Sequence, residues 1–238
     1  MSLTERQEKI LQGVCQEFIR LAQPISSQFL KKRQNLAFSP ATIRFEFAEL
    51  ERKKYLSHPY ISSGRTPTDK GYRFFVDKIF EKKSFEFERK KRIKEIRREL
   101  QKLKDILIIS RQIARTLSSL SSNLALIYLF RKNILWKEGW EGVVREPEFQ
   151  DIDYWKKFLE MVSDFEEGIG KFDYSGGIKV YIGRESPLRW KNFSIIVTET
   201  LFSQKDKGVI ALLGPKRMDF EKNIGLVSEI VKMAEEIC

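Results

Sequence analysis

The residue types best suited to chemistry lie in two stretches. These are Ser39-Pro40-Ala41-Thr42-Ile43-Arg44 and Ser62-Ser63-Gly64-Arg65-Thr66-Pro67-Thr68-Asp69-Lys70-Gly71-Tyr72-Arg73. The chemistry they offer is recognition of a polyanion. The guanidinium of Arg44 matches the paired acceptors on a guanine edge. Ser39 and Thr42 sit where a helix would begin, and there their hydroxyls and the helix dipole favour a phosphate or a base edge. Arg65 and the backbone of Ser63-Gly64 suit a second contact with phosphate or a minor groove, although Gly64 is equally compatible with a plain hairpin turn. His58, the only histidine, stands before Pro59 and fits a structural role or a place beside a phosphate.

These residues need a frame. Ser39 is a helix cap and Pro40 has no N–H to lose at the first helical position. Ile43, Phe47 and Leu50 then recur on one face and turn it toward a core. Ala41, Arg44, Phe45, Ala48 and Arg52 point the other way. An ordinary bundle helix would show the same stripe, but a hairpin signal follows it. Thr4 and Gln7 have capping-box spacing before a helix carrying Ile10, Leu11, Val14, Phe18 and Leu21. After Pro24 a short helix to about Arg33 is predicted to bury Phe29 and Leu30. Three short helices, a strand at Tyr55–His58, a partner at Arg65–Pro67 and a helix capped by Thr68 predict a winged helix-turn-helix. The candidate DNA-contacting residues are therefore Ser39, Ala41, Thr42, Arg44, Phe45, Arg52, Ser63, Gly64 and Arg65. Lys31, Lys32, Arg33, Lys53 and Lys54 add unspecific phosphate attraction.

Charge supports the division. Residues 1–123 hold 27 Lys+Arg against 14 Asp+Glu, whereas residues 124–238 hold 17 against 19. One half thus has the footprint of a polyanion binder and the other does not. A catalytic reading finds little support. No His/Cys/carboxylate cluster has metal-ligand spacing, no Ser/His/Asp arrangement is evident, and Gly214-Pro215-Lys216-Arg217-Met218 lacks the glycine patterns that cradle phosphates. No cofactor, metal or catalytic residue is expected. Cys15 and Cys238 lie at opposite ends, no apolar run approaches a membrane span, and Met1–Thr4 leads straight into a polar amphipathic helix. The expectation is a cytoplasmic protein without membrane association, Cys15 buried and Cys238 exposed.

From Glu86 to about Ser121 the pattern reads as one helix without a breaker. Ile93, Ile96, Leu100, Leu103 and Leu107 form a heptad-like seam through Ala114 and Leu117, with a basic outer face. That face is a solvated surface or a brush against flanking phosphates. Beyond it, strands are predicted at 125–130, 178–182, 194–198 and 208–213. Residues 136–170 read as helical and turn-like, and a last helix follows Asp219. Gly176-Gly177 reads as a turn before a strand. The class is α+β. The predicted plan is a DNA-binding domain at 1–80, a long basic helical connector at 81–122 and a reduced α+β domain at 123–238.

Leu3-Thr4-Glu5-Arg6-Gln7, Ser39–Arg44, Ala48-Glu49-Leu50-Glu51 and Ser63–Arg73 closely resemble the bacterial heat-inducible transcription repressor family, HrcA. Glu146-Pro147-Glu148-Phe149, Gly176–Gly183 and Leu213–Asp219 continue the resemblance in the same order. The resemblance implies a homodimeric repressor of chaperone genes bound to an inverted-repeat operator known as CIRCE. It further implies a GAF-like C-terminal domain and the chaperonin GroEL as a partner. Two departures stand out. Phe45-Glu46-Phe47 replaces the family's usual Asn-Asp-Met. Fewer than twenty residues separate Leu129 from Glu146, where the family carries much of a GAF-like sheet and an inserted dimerisation domain. The GAF-like domain is accordingly expected to be truncated. Two other readings stay open, a regulator whose C-terminal domain senses a small effector and an RNA-binding or chaperone-interaction module.

Overall fold

The computed structural model describes residues 2–60, 63–82 and 90–237. The expectations for Ser62, for residues 86–89 of the long helix and for Cys238 lie outside the described residues. The chain divides into two compact units, Met1–Lys83 and Ser84–Cys238.

In the first unit, α1 (Glu5–Leu21) starts at the Thr4–Gln7 capping box and stops at Ala22 in a left-handed conformation. Its inner face, Ile10, Leu11, Val14 and Cys15, is wholly buried. Burial pushes the Cys15 thiol far up, so this sulfur is an inert core group. Helix α2 (Ser27–Arg33) is capped by Ser26 and α3 (Pro40–Arg52) by Ser39. Two buried carboxylates tie these helices to α1. Glu17 accepts from Arg20 at 2.7 Å and from Gln34 at 2.8 Å. Glu46 of α3 accepts from Gln7 at 3.0 Å and Arg6 at 3.4 Å. The orientation of α3 is thus fixed by a charge-assisted hydrogen bond as well as by Ile43, Phe47 and Leu50. Strands β1 (Leu56–Ser57) and β2 (Thr66–Pro67) pair antiparallel, and Thr68 caps α4 (Asp69–Glu81). One expectation fails here: Leu30 is buried, but Phe29 is 37% exposed. A seven-residue helix presents too narrow a stripe to bury both neighbours.

The second unit begins with a further difference. The segment read as one helix is two, α5 (Lys90–Leu100) and α6 (Ile106–Ser121). Asp105 accepts the Leu107 N–H at 2.8 Å and restarts the helix, a local capping event that heptad spacing conceals. The seam also rotates. Ile93, Ile96 and Leu100 are buried, Leu103 is exposed, and α6 buries Ile109, Ile113, Ala114 and Leu117 instead. Five strands follow in the order β4-β3-β7-β6-β5, all antiparallel: β3 (Leu124–Leu129), β4 (Ile134–Glu138), β5 (Lys179–Ile182), β6 (Phe193–Leu201) and β7 (Lys207–Pro215). Strand β4 corrects the reading of 136–170 as helix and turn. It pairs Trp136 with Ile127, and Trp136 Nε1 donates to Ser110 of α6 at 3.0 Å.

Helices cover both faces of the sheet. The short α7 (Trp140–Val143) and α8 (Ile152–Gly168) enclose a core with Leu124, Leu126, Ile195, Val197, Ala211 and Leu213. Helix α6 and α9 (Phe220–Ile237) cover the opposite face, where alternation along the strands puts Ile127, Ile196 and Leu212. The central strands therefore read as nearly continuous apolar runs. Trp140, Trp155, Phe149 and Phe158 interlock edge-to-face or stacked within this core. Beyond β7, Arg217 donates to Glu148 at 2.6 and 2.8 Å and to Glu146 at 2.7 Å. No described helix is long and apolar enough to cross a membrane, and no described group of His, Cys, Asp or Glu could hold a metal ion.

Candidate nucleic-acid interface

The start of α3 is a small hydroxyl cluster. Ser39 Oγ accepts the Thr42 N–H at 3.1 Å and lies 2.9 Å from Thr42 Oγ1. Behind it the helix buries Ile43, Glu46, Phe47 and Leu50. Ala41, Arg44, Phe45, Ala48 and Arg52 are all exposed on the other side. The two arginines differ. Arg52 is engaged by Glu49 at 2.7 Å, an ion pair that holds the Glu49 carboxyl below its usual range. The Arg44 guanidinium has no partner among the described residues. Phe45 is 66% exposed. It lines an open cleft of about 580 Å³ with Phe38, Arg6 and Lys9, in which Arg6 lies over the Phe38 ring at 5.2 Å.

The hairpin is built differently from its outline in the sequence. Arg65 is drawn back onto α3: Nε lies 3.1 Å from Glu51, Nη1 donates to the Ser63 carbonyl at 3.2 Å, and the guanidinium caps the Phe47 ring at 6.0 Å. His58 meets the same Glu51 carboxylate. Ser63 Oγ accepts from Tyr60 N and donates to the Gly64 carbonyl. Gly64 lies against Ile25, where a Cβ would stand 2.5 Å from the Ile25 carbonyl carbon and 2.6 Å from its N and O. Beside it, Ile25 and Arg65 exchange two backbone hydrogen bonds of 2.9 Å, a one-residue third strand. The structure therefore gathers Ser39, Ala41, Thr42, Arg44 and Phe45 on one helix face, while Arg65 and Gly64 hold the hairpin to the helices. Of the general cations, Lys31 and Lys32 are exposed, whereas Lys53 donates to Gln7 at 2.8 Å.

Gly64→Ala is expected to destabilise this unit, because backbone cannot rotate away as a side chain can. Overpacking of this kind costs about 1–3 kcal/mol. Hydrogen exchange at Ile25 and Arg65 checks it, since both amides should lose protection together.

Tyr60 and the role of Glu46 escaped the sequence reading, and Phe29 was expected to be buried. Tyr60, 67% exposed, and Phe29 add rings to the surface of the unit. Tyr60 stands in a loop without periodicity, so nothing marks whether it is buried. Glu46 was findable, since it falls three residues after Ile43 on the buried stripe.

The profile described as HrcA protein C terminal domain matches residues 79–224. A heat-inducible transcription repressor HrcA from Clostridium acetobutylicum is 26% identical over 330 aligned positions, covering 97% of this chain and 96% of that protein. An alignment of 330 positions against 238 residues leaves at least 92 positions without a residue in this chain. An HrcA from Alkaliphilus metalliredigens is 51% identical over 81 residues, 34% of this chain and 24% of that protein. A crystal structure at 2.2 Å, described only as a hypothetical protein, superposes with a TM-score of 0.79 at 19% identity. It covers 99% of this chain and 97% of the other, and so shares its fold.

Proposed function

The chain belongs to the HrcA family of heat-inducible transcription repressors, as a shortened member, and from that premise we propose that it represses chaperone genes by occupying an inverted-repeat, CIRCE-like operator as a homodimer. Residues 1–80 act as a winged helix-turn-helix, with α3 in the major groove. Residues 81–122 connect, and residues 123–238 form a truncated GAF-like domain. Ser39, Ala41, Thr42, Arg44, Phe45 and Arg52 face the DNA from α3, and Ser63, Gly64 and Arg65 set the wing. The observation that carries the reading is the exposed Arg44, without a partner among the described residues, beside a hydroxyl-capped helix start in the basic half of the chain. Half-sites lie about one helical turn, or a small multiple of it, apart. Within the cytoplasm the chaperonin GroEL sustains repression, and heat diverts it to unfolded proteins.

Selection of bound sequences from random duplex DNA tests the proposal. Enrichment of an inverted repeat supports it, and a pool with no enrichment sinks it. Dimerisation has to use residues 86–121, the C-terminal domain, or both, because the family's inserted domain has little room here. A monomer at micromolar concentration in sedimentation would remove that part.

Phe45→Asn is expected to change which operator variants bind best. A ring this exposed suits a thymine methyl or a sugar, contacts an amide replaces with hydrogen bonds. The preferred base at one or two positions per half-site should shift in the same selection. Unchanged preferences would mean that Phe45 does not touch the bases.

A further inference from the structure

The described part of the segment that opens the second unit is rich in exposed cations. Helix α5 buries Ile93, Ile96 and Leu100 against α9. Arg92–Lys104 holds six Lys/Arg against only Glu95 and Glu99. Two of those cations are satisfied, Arg92 by Glu95 at 3.4 Å and Arg97 by Glu236. Lys94, Arg98, Lys102 and Lys104 are exposed and have no side-chain partner among the described residues. Lys94 and Arg98 stand one turn apart on the helix, an arrangement of like charges that weakens a helix. Elsewhere in the unit some exposed cations are drawn to carboxylates, as Arg111 and Arg115 are to Glu138 and Lys137 is to Glu166, while others, such as Arg131 and Lys157, have no side-chain partner among the described residues.

We propose that Lys94, Arg98, Lys102 and Lys104 form a second, sequence-independent contact surface for duplex DNA. Phosphates recur every ~1.7 Å along a duplex, so a group of exposed cations finds partners without any register. Binding releases condensed counterions and relieves the repulsion along α5. Chain connectivity to the first unit keeps this surface near any DNA that the first unit holds, which raises its effective concentration. The surface needs no base preference and so goes beyond the operator reading. Its assignment to DNA rather than to an anionic lipid surface rests on that reading.

The test is the salt dependence of binding to a non-specific duplex of about 60 base pairs, long enough to cover both contacts. The full chain is compared with Lys94→Gln/Arg98→Gln/Lys102→Gln/Lys104→Gln. Each phosphate contact contributes about 0.9 to the slope of log affinity against log salt, so the variant should be shallower by about 3–4, with a binding deficit that widens as salt is lowered. The charge-keeping Lys94→Arg/Arg98→Lys should retain the parent slope. An unchanged slope in the quadruple variant overturns the proposal, as does loss of slope in the charge-keeping one. Unaltered DNA binding with lost binding to phosphatidylserine vesicles also overturns it and assigns the face to lipid. An inverted repeat that emerges from selection while the slope stays fixed leaves the operator reading intact. A slope change without any selected repeat does the reverse.

Discussion

Arg44→Ala should lower affinity for the selected inverted repeat by about 5- to 150-fold per half-site. A good bidentate base contact discriminates by about 1–3 kcal/mol, and each 1.4 kcal/mol is tenfold. The expectation follows from what surrounds the side chain. Arg52 on the same face already has Glu49, and Arg65 has Glu51 and the Phe47 ring, so both must exchange a partner to reach DNA. Arg44 has no such partner to give up among the described residues. Its exposure also means that removing it should leave the melting temperature unchanged, separating a binding loss from a folding loss. Binding to non-specific duplex should change little, because one phosphate contact at most is at stake. Arg44→Lys keeps the charge, but a point charge cannot reproduce a two-pronged contact, so lysine should match the parent on non-specific duplex and still lack the preference. Equal losses on selected and random duplex would show that Arg44 only attracts phosphate.

How much of this was legible in the sequence depends on whether the cause was local. Ser39 and Pro40 announce the start of α3, and Thr68 announces α4, because caps and fixed φ angles act within one turn. The exposed face of α3 followed from spacing alone. Gly64 looks like a turn glycine, yet the reason for it is the backbone of Ile25, 39 residues earlier, which no local pattern encodes. Arg65 likewise reads as a free cation until Glu51 is brought to it. The long helix misled for the opposite reason. Its apolar spacing continues without interruption, while Asp105 caps a new helix whose buried face is chosen by β3 and β4. Strand β4 was hidden because an edge strand with only half-buried residues, Ile134-Leu135-Trp136, shows neither alternation nor a buried run.

The largest effect on stability is expected at Arg217. The residue is 7% exposed and answers two carboxylates, Glu146 and Glu148, about 70 positions earlier. The carboxylates are themselves only about a quarter exposed, 28% and 25%. Arg217→Met keeps much of the side chain's length but leaves two negative groups facing each other with no cation between them. Breaking one side of a buried pair costs about 3–5 kcal/mol, and partial access of water to the glutamates favours the lower end, about 3 kcal/mol. Arg217→Lys should fall between, since it restores charge but not the fork that spans both oxygens of Glu148. Arg217→Met/Glu148→Gln should recover part of the loss, because a neutral amide ends the repulsion. Trp136, Trp140, Trp155 and Trp190 are the chain's four tryptophans, and all lie in the second unit. Their fluorescence in urea therefore reports this unit alone, while the first unit unfolds unseen. An unchanged midpoint for Arg217→Met would mean that the 146–148 segment is held to the sheet by apolar packing of Phe149, Phe158 and Phe193, and that the ion cluster is incidental to it.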